Sequence, residues 1–495
     1  MKKIAFTIFA SLFLLTGCNE LELDDYTIIS PNNFLKTADD AKALVTSCYY
    51  DIMHNGDGGM YCFSAFSFPL VTDLSTNVMR CNWGNGTSDW AVQFRQSYTP
   101  ESPGFTRNLW AYYRNLSKYT LDIDRINGIN DASLTDDLKT RYVAEIKAIR
   151  AWTAYLLYNT FGTFPIATLE QLKNPLDEVL LERASNETVE TLITDDLNDA
   201  ISALPVSYPD ADYGRITKGH ALMILLKFQM FKKQWTDASN TARQIIALNK
   251  YGLMNSYKDI FSKANRRNTE LIYSIPASQV TGANYWLSWT LPYNFPTTNP
   301  TISKWNGYRI TWDFYDTFEV ADERLETIFA EYTSTSGDLI TKSNDPDGIF
   351  NWGPIPMKYG EDPDVNGHQS TIDYIVFRYS DVLLSLAEAI NNTAGPTSEA
   401  IGLVNQIRNR VGLPDLASEK TANMASFNDA ILNERMHELY CEGFSREDLI
   451  RHGKLVETLK QLSGTDMVSE DRSLYPIPQS DITASKGAIK QNPGY

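Results

Sequence analysis

Histidine and cysteine are scarce in these 495 residues, at five each, and neither is spaced for chemistry. His54, His220, His368, His437 and His452 form no His-x-x-x-His pair, and Cys48, Cys62, Cys81 and Cys441 form no Cys-x-x-Cys pair, so the common zinc and dithiol motifs are missing. A Gly-x-Ser-x-Gly elbow and a phosphate loop are missing too. Positive charge is in deficit: 44 Lys+Arg stand against 61 Asp+Glu, a formal charge of −17. Such a surface is repelled by nucleic-acid phosphate and by anionic lipid, which excludes both as electrostatic partners. Beyond the first residues there is no apolar run of the roughly 20 residues that a spanning helix needs. One enzyme class survives these exclusions, because a glycosidase needs only two well-placed carboxylates.

The amino terminus is informative. Lys2 and Lys3 precede an apolar run from Ile4 to Leu15, too short to span a bilayer, followed by Leu15-Thr16-Gly17-Cys18. A large aliphatic residue, two small residues and then cysteine is the pattern of a lipoprotein signal peptide, with residues 1–17 removed and Cys18 acylated. The competing reading is an ordinary secretory leader beside a chance cysteine. Losing Lys2 and Lys3 takes the formal charge from −17 to −19, so acyl chains, not basic residues, would supply the membrane affinity. Residues 18–37 then read as a tether, acidic from Glu20 to Asp25.

Helical periodicity recurs in pairs along the rest of the chain. It is clearest over 145–161, 188–204, 218–231, 235–248, 379–391 and 397–411, with Ala221, Ala238 and Ala242 as small contact residues. The expected fold is all-α, a tetratricopeptide-like scaffold of helical pairs without a clean 34-residue repeat. The expected parts are an N-terminal helical part over 38–278, a loop-rich insert over 279–371 and a C-terminal helical part over 372–495. Residues 38–495 are expected to form one compact unit. Two stretches break the helical pattern: 56–103, rich in Gly, Ser, Thr and Asn, and the aromatic-laden insert. Bulky aromatics in loops of that length point to a functional surface, not to disorder.

Several segments carry a resemblance. Glu145 to Pro165, Asp195 to Pro205, Gly214 to Lys218, Phe377 to Leu384 with Ala387-Glu388-Ala389, Glu434-Arg435, Glu438-Leu439, Glu442-Gly443, Asp448 to Arg451, Tyr475 to Pro478 and Gln491 to Tyr495 resemble, in order, the SusD/RagB outer-membrane nutrient-binding lipoproteins. Ser445-Arg446 departs from the Arg-Trp common there. The acidic run after Cys18 resembles the export signal that brings Bacteroidetes lipoproteins to the outer face of the outer membrane. The resemblance implies a SusD-like fold and a surface protein that captures oligosaccharide. It also implies delivery of the ligand to a TonB-dependent transporter, with peptides the ligand in some branches. Arg435, Glu438, Glu442 and Asp448 lie at helical spacings suited to ion pairs that hold a scaffold.

Flat aromatics offer large contact area to the C–H face of a sugar, and polar neighbours orient its hydroxyls. On that reasoning the candidate platforms are Trp83, Trp90, Trp286, Trp289, Tyr293 and Trp305, with Asp73, Arg80 and Asn82 as polar partners. The competing reading is that each aromatic pins its own loop. Residues 362–373 match a twelve-residue calcium loop, with Asp362, Asp364 and Asn366 at positions 1, 3 and 5, Gly367 at 6 and Asp373 at 12. A plain acidic turn is the alternative. No cofactor is required, a structural calcium ion being the one candidate.

Overall fold

Thr135 accepts a hydrogen bond from the Leu138 amide and begins a helix of 26 residues, Asp136–Phe161, that runs to Gly162 at φ +71°. Periodicity alone starts this helix near Glu145; the capping threonine and the first-turn acids Asp136 and Asp137 extend it by more than two turns. The computed structural model describes residues 35–495 apart from 54–59, 61–66, 84–88, 103–104, 175, 178, 281 and 462–467. The leader, Cys18 and the acidic run behind it lie outside the described residues, as do Cys62 and part of the 56–103 stretch.

Nine helices of thirteen residues or more carry the described fold: α1 (Ala38–Met53), α2 (Tyr113–Gly128), α3 (Asp136–Phe161), α4 (Asn186–Ala203), α5 (Lys218–Phe231), α6 (Trp235–Ala247), α7 (Tyr379–Ala394), α8 (Ser398–Arg410) and α9 (Met424–Glu438). From α2 to α8 each packs on the next, while α1 lies against α2 and α3, and α9 against α7. Twelve of the fourteen residues of α5 are buried, which fits a sequence apolar on every face and places that helix at the centre of the array. Ala221, Ala238 and Ala242 are fully buried, as small residues at helix crossings must be. The helical-pair architecture expected from the sequence is the architecture present.

Among the described residues, eight short strands occur as four separate antiparallel pairs: β1 (Met79–Cys81) with β3 (Tyr308–Ile310), β2 (Leu271–Ile275) with β8 (Tyr374–Arg378), β4 (Ile328–Phe329) with β7 (Ile355–Pro356), and β5 (Glu331–Thr333) with β6 (Leu339–Thr341). The largest apolar core runs from Ala41 to Ile489 and joins helices from both ends of the chain. A smaller one, from Leu287 to Val365, belongs to the insert.

Buried ions bolt the insert to the helical array. Arg324 of the insert reaches Glu434 at 2.7 Å and Glu438 at 3.4 Å on α9, and Lys358 reaches Glu442 at 2.5 Å. From the start of α7, Arg378 binds the same Glu438 at 2.8 Å and Glu442 at 2.7 Å, and Arg435 binds Asp381 at 2.7 Å and Asp448 at 2.9 Å. All of these groups are almost fully buried, so removing one partner would strand a charge at a cost of about 3–5 kcal/mol. The motif residues Arg435, Glu438, Glu442 and Asp448 therefore serve the scaffold.

Candidate functional site

The pairing of β1 with β3 brings residues more than 200 positions apart to one edge. Cys81 stands opposite Tyr308, and the Asn82 amide donates to the Gly307 carbonyl at 2.9 Å. Next along the chain, Trp83 lies over Gly307, where an added Cβ would come within 2.4 Å of its ring. Its indole N–H donates to the Trp305 carbonyl at 2.6 Å. The segment 305–307 is itself fixed to the short helix Trp286–Thr290 and the residue after it. The Trp305, Asn306 and Gly307 amides donate to Ser288, Leu291 and Trp289 carbonyls at 2.8, 2.9 and 2.7 Å.

On this base stands an aromatic cluster. Trp305 is 39 % exposed, and its ring lies 5.2 Å from His368 with a 37° tilt and 6.3 Å from Tyr285, edge to face. Tyr285 and His368 are half-buried and 4.7 Å apart. They meet because Asn284 and Ser370 exchange backbone hydrogen bonds at 2.9 and 3.2 Å. Trp83 continues the surface towards Trp90, its ring 5.2 Å away, and the Trp90 indole donates to the Tyr308 hydroxyl at 3.2 Å. The result is a tilted, partly exposed aromatic surface on a hydrogen-bonded floor. Such a surface stacks on the apolar face of a sugar ring, and its fixed backbone keeps the ordering cost of binding low.

The other candidates divide. Trp286 and Trp289 are 1 % and 3 % exposed, so neither can stack on a ligand in this conformation, which corrects their assignment as platforms. Both pack under the cluster, Trp286 with its indole N–H on the Pro356 carbonyl at 3.0 Å. Asp73 and Arg80 are buried too and are corrected from ligand contacts to internal ties. Asp73 accepts from the Gly443 and Ser445 amides at 3.0 and 3.3 Å, and burial lifts its pKa to about 7 against those bonds. Arg80 donates to the Thr76 and Met79 carbonyls at 2.7 Å and lies over Phe94. Asn82 lies half-buried at the cluster's edge, its amide within 3.4 Å of the Ile349 carbonyl. Tyr293, 57 % exposed, makes no ring contact with the cluster.

The calcium reading of 362–373 is corrected by what the carboxylates hold. Lys263 places its ammonium on Asp362 at 3.1 Å and on Asp364. The other Asp362 oxygen accepts from the Thr371 hydroxyl at 2.8 Å. Asp373 is turned away onto Arg266 at 2.6 Å and the Tyr213 hydroxyl at 2.9 Å. Among the described residues no group of three or more His, Cys, Asp or Glu side chains is arranged to hold a metal ion. An internal cation fills the role, and the segment is an acidic turn.

Sequence reasoning missed His368 as a member of the cluster. Its signal was weak: a lone histidine between acidic-turn residues, brought beside Tyr285 only by the Asn284–Ser370 bridge.

Residues 259–495 match the model of the SusD family. The starch-binding protein SusD of Bacteroides thetaiotaomicron is 25% identical, over 80% of this chain and 80% of its own. A solved SusD homolog from Bacteroides thetaiotaomicron superposes with a TM-score of 0.80 at 23% identity, covering 95% of this chain and 99% of that one. Surface glycan-binding protein A from Bacteroides thetaiotaomicron, solved in complex with laminarihexaose, superposes at 0.74 with 20% identity, over 93% of this chain and 100% of that one. The two superpositions establish the fold. In sequence the likeness is to the SusD family, through its model over residues 259–495 and through a relative that is 25% identical.

Proposed function

We propose that this protein is a glycan-binding lipoprotein of the outer-membrane surface that captures an oligosaccharide and passes it, unaltered, to a TonB-dependent transporter. The observation that carries the reading is the partly exposed cluster of Trp305, Tyr285 and His368, flanked by Trp83, on a floor fixed by main-chain hydrogen bonds. Stacking on such a surface is tolerant of sugar identity, in keeping with relatives named for starch and solved with laminarihexaose. Leu15-Thr16-Gly17-Cys18 supports the lipid anchor, and among the described residues no helix is long and apolar enough to cross a membrane. Membrane attachment on this reading comes from the acyl chains on Cys18, and the family resemblance supports the transporter as partner.

The test is affinity electrophoresis of the purified mature protein through gels containing starch, laminarin or other polysaccharides, with an assay for new reducing ends. Retardation without new ends supports the reading. Turnover by the pure protein would replace it with a glycosidase, and binding restricted to peptides would replace it with a peptide receptor.

A further inference from the structure

The connection between α4 and α5 and the strand β2 line a cavity of about 350 Å³ that shares no lining residue with the aromatic cluster. Four tyrosines, Tyr208, Tyr213, Tyr251 and Tyr273, contribute to its walls. Its charged lining is Arg215, Arg267 and Lys250 against Asp210 and Asp212, a local excess of one positive charge on a chain of formal charge −17.

The cations are not equally committed. Arg215 is used internally, with Nη1 on Glu145 and Nε on Asp212, both at 2.8 Å. Arg267 has its guanidinium 3.9 Å from the centre of the Tyr213 ring and one side-chain hydrogen bond, Nη1 to Asp210 at 3.1 Å. The Asp210 side chain is 98% exposed, so water screens that pair. Lys250 has no carboxylate partner among the described residues. Two cations with unspent donors thus face one cavity.

Two local features that run against backbone preference also serve it. Arg267 adopts φ +65°, a left-handed conformation that side chains other than glycine, asparagine and aspartate rarely take. Gly219 sits in the first turn of α5, where a Cβ would stand 2.1 Å from the Tyr251 hydroxyl, so only glycine admits Tyr251 to this wall. The Tyr213 hydroxyl is engaged by Ser274 at 2.6 Å and Asp373 at 2.9 Å, and the Tyr273 hydroxyl by the Gly214 carbonyl at 3.0 Å. The cavity therefore offers mainly ring surface beside positive charge.

We propose that this cavity is a separate binding site for a carboxylated sugar, whose ring lies against Tyr251 and whose carboxylate is held by Arg267 and Lys250. A space of this size suits a small ligand, and charge-assisted bonds from two cations favour a carboxylate over a neutral hydroxyl group. The site is independent of the aromatic cluster and of the function proposed for it.

Saturation-transfer NMR and titration calorimetry of the full mature chain with glucuronate, glucose and acetate test this. Glucuronate should bind saturably, and glucose and acetate should not. Arg267→Gln and Lys250→Gln should each weaken glucuronate by about tenfold, the effect of losing one charge-assisted contact. Lys250 is exposed, so its variant keeps the fold, and thermal melts check both proteins. Trp305→Ala should leave glucuronate binding unchanged. The proposal is overturned if glucuronate does not bind, if acetate or glucose binds equally well, or if binding is lost in Trp305→Ala and kept in Arg267→Gln.

Discussion

Trp83 donates its indole N–H to the main-chain carbonyl of Trp305 at 2.6 Å, across 222 residues of sequence. One hydrogen bond thus ties the loop after β1 to the loop before β3, and the two tryptophans become parts of one surface. The bond depends on Gly307, which leaves room for the Trp83 ring.

Gly307→Ala should therefore break the surface from behind. Its Cβ would stand 2.4 Å from the Trp83 ring and 2.8 Å from the Trp289 carbonyl, and a main-chain carbonyl cannot swing aside. The expected result is a changed tryptophan emission, a stability loss of about 1–3 kcal/mol from overpacking and weakened glycan binding. Denaturant melts and fluorescence check it; an unchanged spectrum and midpoint would show that Trp83 does not rest on this glycine.

Acid should unfold the protein through its buried ion network. Burial would raise the pKa of Asp381, but Arg435 and Lys227 outweigh it and hold the group near 2, below its ordinary 3.8; Arg451 and His452 similarly depress Glu388. A depressed carboxylate stabilises the fold above its unfolded pKa, and the contribution is lost as pH falls through the folded value. Asp73 has the opposite sign: lifted by burial to about 7, its contribution is lost as pH rises from 3.8 through 7. These groups together place the stability maximum at about pH 4. Urea melts across pH should show the acid limb below about pH 4, shallower in Asp381→Asn. A stability that climbs from about pH 4 to pH 7 would contradict the role given to Asp73.

Chelator and calcium should both leave the melting temperature unchanged, because the Lys263 ammonium already lies on both Asp362 and Asp364. Differential scanning calorimetry with chelator and with millimolar calcium checks this. A rise in melting temperature with calcium would restore the metal reading of 362–373.

The helical array was legible because its signals are local: period, capping threonines such as Thr135 and Thr217, and alanines at crossings. The family motifs were legible as ion-pair residues, and Arg435, Glu438, Glu442 and Asp448 do pair. The site was legible only as a surplus of aromatics in loops. Which of them face out depends on the β1–β3 register and the Asn284–Ser370 bridge, which join distant segments and leave no periodic trace. Trp286 and Trp289 illustrate this: both lie on one turn of helix beside Tyr285, yet they pack inward while Tyr285 keeps an exposed face. The acidic turn deceived because its oxygen spacing suits calcium, while the cation it holds, Lys263, lies about a hundred residues upstream.

The most direct test compares Trp305→Ala and Trp286→Ala by calorimetric titration with the oligosaccharide that retards the wild-type protein. Trp305→Ala should weaken binding by about 1–3 kcal/mol, with heat released on stacking reduced and the melting temperature kept. Trp286→Ala, a cavity in the floor, should instead cost about 3–5 kcal/mol of stability. If Trp305→Ala binds as tightly as the wild type, the ligand does not sit on this surface and the account of the site is wrong.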